Sequence, residues 1–257
     1  MTRKEILSYL DAEDRKAVFQ LLKKHKISFR SVFLVVFYSI GPIQNKFQQG
    51  AVKSESEGDY GRRWRRSFQR MIERKREEYL QKFNALFVHV DPTKLDTVVA
   101  MVPMKKLQPK LRRLQERLKF AELFEAFNPI RMAEIEVMSY REEGGMTIPV
   151  IHFAETKVSG GSAQEIGWAE MLGIPVYLYG SEDNIGKYQS RHVILSITAI
   201  GKEVVRKRNT FHTAEDALNH VLHDLPRLRR SVILPPLGKL FIELWNERMK
   251  LKKKFSK

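Results

Sequence analysis

The stretch that decides the fold is "VSGGSAQEIGWAEMLGIPVYLYG", residues 158–180. It holds a turn of small residues, a helical segment, Gly173 followed by Pro175 as a helix stop, and an apolar strand at 175–179. The run before it, "IPVIHF" at 148–153, also has the composition of a buried strand. A strand, a helix and a second strand in this order predict one unit of a parallel α/β sheet.

The same alternation continues in both directions along the chain. Helices are predicted at 4–26, 62–82, 107–127, 212–225 and 238–254. Strands are predicted at 31–40, 85–90, 135–140, 148–153, 175–179 and 192–197, while 97–102 fits a short strand or a packed loop. We therefore predict an α/β fold of the flavodoxin or Rossmann-like kind, with a largely parallel sheet, helices on both faces and helices appended at both ends.

Three segments follow from this pattern. Residues 1–30 are predicted to be an N-terminal helical extension, 31–230 the α/β domain, and 231–257 a C-terminal basic helix. The helix predicted at 212–225 has Thr213 as its N-cap, and Asp216 follows three residues later, which is the spacing of a capping box.

The composition limits the chemistry. The 257 residues include no cysteine, which excludes disulfides, thiolate metal sites and a cysteine nucleophile. No signal segment is visible at the N-terminus, and the longest apolar run, at 32–38, is too short for a bilayer span of about 20 residues. We expect a cytoplasmic protein with no membrane partner.

The basic charge is concentrated in three predicted helices. The formal net charge is +16, and residues 62–82, 105–119 and 248–257 each carry an excess of six basic side chains. Such segments suit phosphate groups or nucleic acid, although a solvated helix face has the same composition. Trp64 and Phe68, between arginines, fit either stacking on bases or a core-facing stripe.

Glu165 has two interpretations. Ser162 and Glu165 have the spacing of a capping box, which would contribute about 0.5–2 kcal/mol to the helix. The same carboxylate also lies where a strand passes into a helix, at the edge of a parallel sheet that faces the ligand crevice. Gly160 and Gly161 would allow a substrate to approach the backbone there. An ionised carboxylate in that position can attack an anomeric carbon.

The quoted stretch resembles the signature region of the nucleoside 2-deoxyribosyltransferase-like family. The positions that match are Gly161, Ser162, Ala163, Glu165, Ile166, Gly167, Ala169, Leu172, Gly173, Pro175 and Val176. The resemblance implies that Glu165 is the nucleophile that attacks C1′ of a nucleoside. It also implies that the loop at Gly41 and Pro42, after the first strand, helps to form the base and sugar pocket, and that the protein is a homo-oligomer.

The turn before the motif differs from the family pattern. It reads "HFAETKVSGG", with Glu155 and Lys157 but no aspartate where the family carries acidic residues. Glu155 is the acidic residue nearest in sequence, at the end of the preceding strand, and is our candidate for the second catalytic group. Asp91, which follows the strand at 85–90, is a candidate substrate contact. Glu134 and Glu136 are weaker candidates on the predicted strand at 135–140. Transfer and hydrolysis both stay open.

Other site types lack a pattern. The seven histidines form no metal constellation, and neither G-x-S-x-G nor a P-loop is present. We predict no metal and no cofactor. The predicted substrate-binding residues are Gly41, Pro42, Asp91, Gly160, Gly161 and Ser162. The predicted function is cleavage or transfer at the N-glycosidic bond of a nucleoside or nucleotide, with phosphorylated substrates favoured by the basic charge. The alternatives are a non-catalytic nucleotide or nucleic-acid binding module and an NAD-cleaving glycohydrolase.

Overall fold

The computed structural model describes residues 2–40, 60–102, 104–153, 160–180, 191–206, 208–230, 243–248 and 250–251. Within them it shows an α/β fold of the flavodoxin or Rossmann-like kind. The strands are β1 (Phe33–Ile40), β2 (Ala85–Val90), β3 (Arg141–Glu142), β4 (Gly145–Phe153), β5 (Tyr177–Gly180) and β6 (Thr210–Phe211). Five of them form a parallel sheet in the order β2-β1-β4-β5-β6, and β3 pairs antiparallel with β4.

The helices connect these strands in sequence order. They are α1 (Arg3–Ser8), α2 (Ala12–Lys24), α3 (Tyr60–Phe83), α4 (Pro92–Ala100), α5 (Met104–Glu116), α6 (Phe120–Met138), α7 (Gly160–Met171), α8 (Arg191–Ala199) with its π-helical continuation (Ile200–Val205), and α9 (Ala214–Arg230). Residues 243–248 are also helical. Among the described residues, no helix combines the length and apolar character needed to cross a bilayer.

Neighbouring residues of β1 show which helices cover which face. Phe37 and Tyr38 point to opposite sides of the strand. The ring of Phe37 meets Phe68 of α3 with 5.6 Å between centroids, and the hydroxyl of Tyr38 meets Glu165 of α7. The helices α3 and α7 therefore lie on opposite faces of the sheet. Every residue of β1 is buried, as expected for a central parallel strand.

The last helix joins the face that α3 covers. Tyr177 of β5 donates a hydrogen bond to Asp224 of α9 at 2.7 Å. Tyr179, two residues further along the strand and thus on the same face, stacks on Phe68 of α3 at 6.1 Å. The two N-terminal helices also contribute to the main core, through buried residues that include Ile6, Leu10, Val18 and Leu22.

Most predicted elements are confirmed. The strands at 31–40, 85–90, 148–153 and 175–179 correspond to β1, β2, β4 and β5, and the helices at 4–26 and 62–82 to α1–α2 and α3. Thr213 caps α9 as predicted, because its Oγ1 accepts from the amide of Asp216 at 3.1 Å. The final helix is seen at 243–248, while residues 231–242 and 252–257 lie outside the described part of the chain.

Two predicted strands are helical. The segment 135–140 closes α6, where Ile130, Ala133 and Val137 are buried at helical spacing. The segment 192–197 lies in α8, where Val193 and Ile197 are buried four residues apart while Leu195 is 65% exposed. In both runs the apolar residues fit period 2 and period 3.6 equally well over a few residues, and their longer context decides in favour of a helix.

Two other segments are divided differently from the prediction. In the run 97–102, residues 97–100 are helical and 101–102 form a turn, because α4 begins at Pro92, which suits the first turn of a helix, and ends at Ala100. The single helix predicted at 107–127 is two helices, α5 and α6, separated at Leu118 with φ 55°. No glycine marks that left-handed residue, so the local sequence contains no signal for the break.

Candidate active site

The sheet has one position where its connections diverge. From β1 the chain moves to β2 on one side, and from β4 it moves to β5 and β6 on the other. In open parallel sheets, ligands bind beyond the carboxyl ends of the strands at such a switch point. Tyr38 near the end of β1 and His152 near the end of β4 flank this position.

Glu165 reaches this edge from α7. The residue is 8% exposed, and Oε1 of its carboxylate accepts a hydrogen bond from the hydroxyl of Tyr38 at 2.7 Å. A buried carboxylate that accepts from a rigid strand residue is held in one orientation. The helix then ends at Met171, and Gly173, with φ 60°, closes it as predicted, since the amide of Ile174 donates to the carbonyl of Ala169 at 2.8 Å.

The capping-box interpretation of Glu165 is wrong. The helix begins at Gly160, so Ser162 is the third helical residue and not the N-cap. Ser162 is buried, with 3% of its surface exposed, one turn before Glu165. The Glu165 carboxylate is directed to a residue of the central strand instead, which removes helix capping as the reason for its position.

A buried arginine interacts electrostatically with the two predicted acidic residues. Arg65 of α3 is 1% exposed, and its Nε lies 3.7 Å from Oδ1 of Asp91. Burial lowers the pKa of Arg65, and the negative charges of Asp91 and then Glu165 oppose that change. Asp91 itself is 8% exposed and precedes α4 directly after β2. The guanidinium thus pairs with Asp91 and acts electrostatically on Glu165, and these two carboxylates are 74 positions apart in the sequence.

A serine and a histidine form a pair beneath this cluster. Ser39 Oγ lies 2.5 Å from Nε2 of His89, and the two residues are 0% and 4% exposed. Burial lowers the pKa of His89 to about 4, so its ring is neutral at pH 7. Its Nδ1 has no hydrogen-bond partner within the described ranges. Because neither residue reaches the surface, we assign the pair a structural role.

Aromatic side chains form a wall on the α3 side of the edge. The ring of His152 lies 5.2 Å from that of Trp64 and 4.8 Å from that of Tyr179, measured between centroids. The guanidinium of Arg65 stands 4.5 Å above the Trp64 ring. Burial, with Arg65 as a second cause, lowers the pKa of His152 to about 4. His152 is therefore neutral at pH 7 and can act only as a hydrogen-bonding imidazole there.

The structure places the predicted site residues as follows. Asp91 pairs with Arg65, whose pKa also responds to the charge of Glu165, while Gly160 and Gly161 are the first two residues of α7 and not part of a turn before it. Gly41, Pro42 and Glu155 lie outside the described residues. Glu134 and Glu136 belong to α6 and not to a strand, so the reasoning that placed them on one sheet face does not hold.

Three residues of this cluster were absent from the prediction: Tyr38, Arg65 and His152. Tyr38 and His152 share a recognisable signal, since each is a polar side chain near the carboxyl end of a buried strand. Arg65 had no such signal, because its helix contains nine basic residues and nothing local distinguishes the buried Arg65 and Arg76 from the others.

Neither a metal site nor a similar known protein helps to assign a function to this group of residues. In the part of the chain that the structure describes, no group of three histidine or acidic side chains is arranged to hold a metal ion. Comparison with protein-family models, curated proteins and solved structures finds no match. The function of the site therefore has to follow from its own residues.

Proposed function

We propose that this protein cleaves or transfers at the N-glycosidic bond of a nucleoside or nucleotide, with Glu165 as the nucleophile. One observation carries the proposal: the Glu165 carboxylate is buried, accepts from Tyr38 at 2.7 Å, and lies at the switch point of the sheet. The resemblance of residues 158–180 to the nucleoside 2-deoxyribosyltransferase-like family supports the same assignment.

The chemistry would proceed in two displacements. A carboxylate oxygen of Glu165 attacks C1′ of the sugar, and the C1′–N bond breaks with its electron pair leaving on the base, which takes up a proton. In the second step an oxygen of water, or a nitrogen of an incoming base, attacks C1′ and restores the free carboxylate. Glu155 is our candidate for the proton transfers, on its position in the sequence alone.

The surroundings of Glu165 suit this chemistry. Tyr38 fixes the orientation of the carboxylate through one of its oxygens. The positive charge of Arg65 favours the ionised carboxylate that the first step requires. His152, which is half-buried beside Trp64 and Tyr179 on the α3 side of the same sheet edge, offers an aromatic surface to a planar base.

The function is tested with a substrate panel. The protein is incubated with nucleosides, nucleoside monophosphates and NAD, and free base is followed by chromatography. Release of a nucleobase supports the proposal, release of nicotinamide alone favours the NAD-cleaving alternative, and no release from any substrate contradicts both.

Tyr38→Phe tests the orientation of the nucleophile. The variant keeps the ring in the core and removes only the hydroxyl that donates to Glu165. We expect kcat for base release to fall about 10- to 100-fold, since a lost hydrogen bond to a charged group corresponds to about 1.5–3 kcal/mol. Tyr177→Phe, which removes the hydroxyl that donates to Asp224, is the matched control and should leave kcat unchanged. Equal kcat values for Tyr38→Phe and wild type would remove Tyr38 from the site.

The surface of α3 favours a second candidate, nucleic-acid binding. Arg66, Arg70 and Arg74 are exposed and recur every four residues, so they form one row on the helix. Arg65 does not belong to this row, because it is buried against Asp91. The row begins at Arg66, the residue after Arg65 of the candidate active site. Its positive charge suits a line of phosphates.

This candidate predicts a steep salt dependence. If the row binds duplex DNA or RNA, log K should fall with log salt by about 0.9 for each phosphate neutralised. Replacing Arg66, Arg70 and Arg74 by alanine should reduce that slope by roughly 2–3. The control replaces two arginines of α5, Arg112 and Arg113, and should change the slope less. Absence of binding at low salt would exclude this candidate.

A further inference from the structure

A cavity lies at the opposite edge of the sheet from Glu165. It has a volume of about 430 Å³ and is lined at the amino ends of the strands, by residues that include Phe33, Asn84 and Gly144. Phe33 begins β1, and five residues at about 3.3 Å each separate it from Tyr38, or about 16 Å along the strand. The cavity is therefore distinct from the candidate active site.

Three arginines from different parts of the chain line this cavity. Arg3 comes from the first residue of α1, Arg30 from the segment before β1, and Arg229 from the end of α9. Guanidinium groups are the side chains that best match the geometry of phosphate oxygens. Their convergence from three distant segments is a property of the fold and not of one basic run in the sequence.

Arg3 is held rigidly at the cavity wall. Its Nε donates to Glu142 at 2.5 Å, and its Nη1 donates to the carbonyls of Phe29 and Val32 at 2.8 and 3.0 Å. Gly144 makes room for it, since a Cβ at that position would lie 1.2 Å from Nη2 of Arg3. A group fixed in this way loses little freedom when a ligand binds.

Arg229 is fixed as well but lacks an acidic partner. Its Nη2 donates to the carbonyl of Phe83 at 2.5 Å, and its guanidinium stands 5.0 Å from the centre of the Phe33 ring. Burial lowers the pKa of Arg229, and its Nε is buried with no hydrogen-bond partner among the described residues. Across those residues, neither Arg229 nor Arg30 makes an ion pair with a carboxylate.

The charge around the cavity is consequently unbalanced. Glu142 compensates Arg3, and Glu143 is an exposed carboxylate in the lining, so Arg30 and Arg229 together leave a net excess of one positive charge. We propose that this cavity binds the phosphate group of a phosphorylated small molecule, held between Arg3, Arg30 and Arg229. The volume lies within the range of small-molecule sites, about 300–1,000 Å³, and suits one such ligand.

The test uses inorganic phosphate and a nucleoside monophosphate as probes. Binding to the full chain is measured by calorimetry at low salt for wild type, Arg30→Met, Arg229→Met and the control Arg113→Met. We expect Arg30→Met to weaken phosphate binding about 10-fold or more and Arg229→Met to weaken it further, since each removes a charge-assisted contact. Arg113→Met should bind like wild type.

Two comparisons separate binding in this cavity from binding elsewhere on the protein. Arg30 is exposed, so Arg30→Met tests the site even where Arg229→Met disturbs the contacts with Phe83 and Phe33. Glu165→Gln should bind inorganic phosphate like wild type, whatever its effect on base release. Absence of phosphate binding in wild type, wild-type affinity in both arginine variants, or binding only of a single-stranded oligonucleotide would each overturn the proposal.

Discussion

Glu165→Gln should abolish release of base while the protein stays folded. The amide cannot act as a carboxylate nucleophile, so we expect the rate to fall at least about 10³-fold. The variant is nearly isosteric, and its amide oxygen can still accept from the hydroxyl of Tyr38. The measurement is chromatography of free base with the best substrate of the panel, with thermal melting of the same samples.

The controls separate the loss of chemistry from the loss of structure. Glu170→Gln makes the same change at an exposed position of the same helix and should leave the rate unchanged. Glu165→Ala should also be inactive and should melt below Glu165→Gln, because it loses the bond to Tyr38 as well. A Glu165→Gln variant that releases base at the wild-type rate would remove Glu165 as the nucleophile.

Arg65→Met should have the largest effect on stability. The variant preserves much of the side-chain volume but removes the ion-pair partner of the buried Asp91 and the positive charge that acts on the buried Glu165. Removing one partner of a buried ion pair costs about 3–5 kcal/mol. We expect the free energy of unfolding, measured with urea at pH 7, to fall by about that amount.

The neighbouring position gives the control for this change. Arg66→Met alters an exposed arginine on the same helix and should change the free energy of unfolding by less than about 1 kcal/mol. In the double variant Arg65→Met, Asp91→Asn, part of the loss should be recovered, because one uncompensated charge is gone. If Arg65→Met unfolds within about 1 kcal/mol of wild type, Arg65 does not stabilise the two buried carboxylates.

Much of the fold could be predicted from local patterns. The strands β1, β2, β4 and β5 are continuous apolar runs, and such runs occur in parallel sheets that are covered on both faces. The predictions failed where a short apolar run fits both periods, as at 135–140 and 192–197. They also failed at Leu118, because a left-handed residue other than glycine has no sequence signature.

The candidate site could be predicted only in part. Asp91 directly follows a predicted strand, and Glu165 lies in the first turns of the helix that follows another. Local sequence is enough to select both residues. Their connection through Arg65 depends on how α3 packs across the sheet, which is a tertiary contact between residues far apart in the chain. The arginines of the cavity at the amino ends of the strands are separated by up to 226 positions and could not be grouped without the fold.

Trapping the glycosyl intermediate tests the role of Glu165 most directly. In a substrate analogue, fluorine at C2′ slows both displacements, because each has an oxocarbenium-ion-like transition state, but with a good leaving base the first step still proceeds and the covalent ester accumulates. After incubation with such an analogue of the best substrate, the protein is digested and the masses of its peptides are measured by mass spectrometry. We predict one added sugar on the peptide that contains Glu165, and none in Glu165→Gln. Base release from wild type with the sugar on another residue, or with no covalent sugar at all, would contradict the assignment.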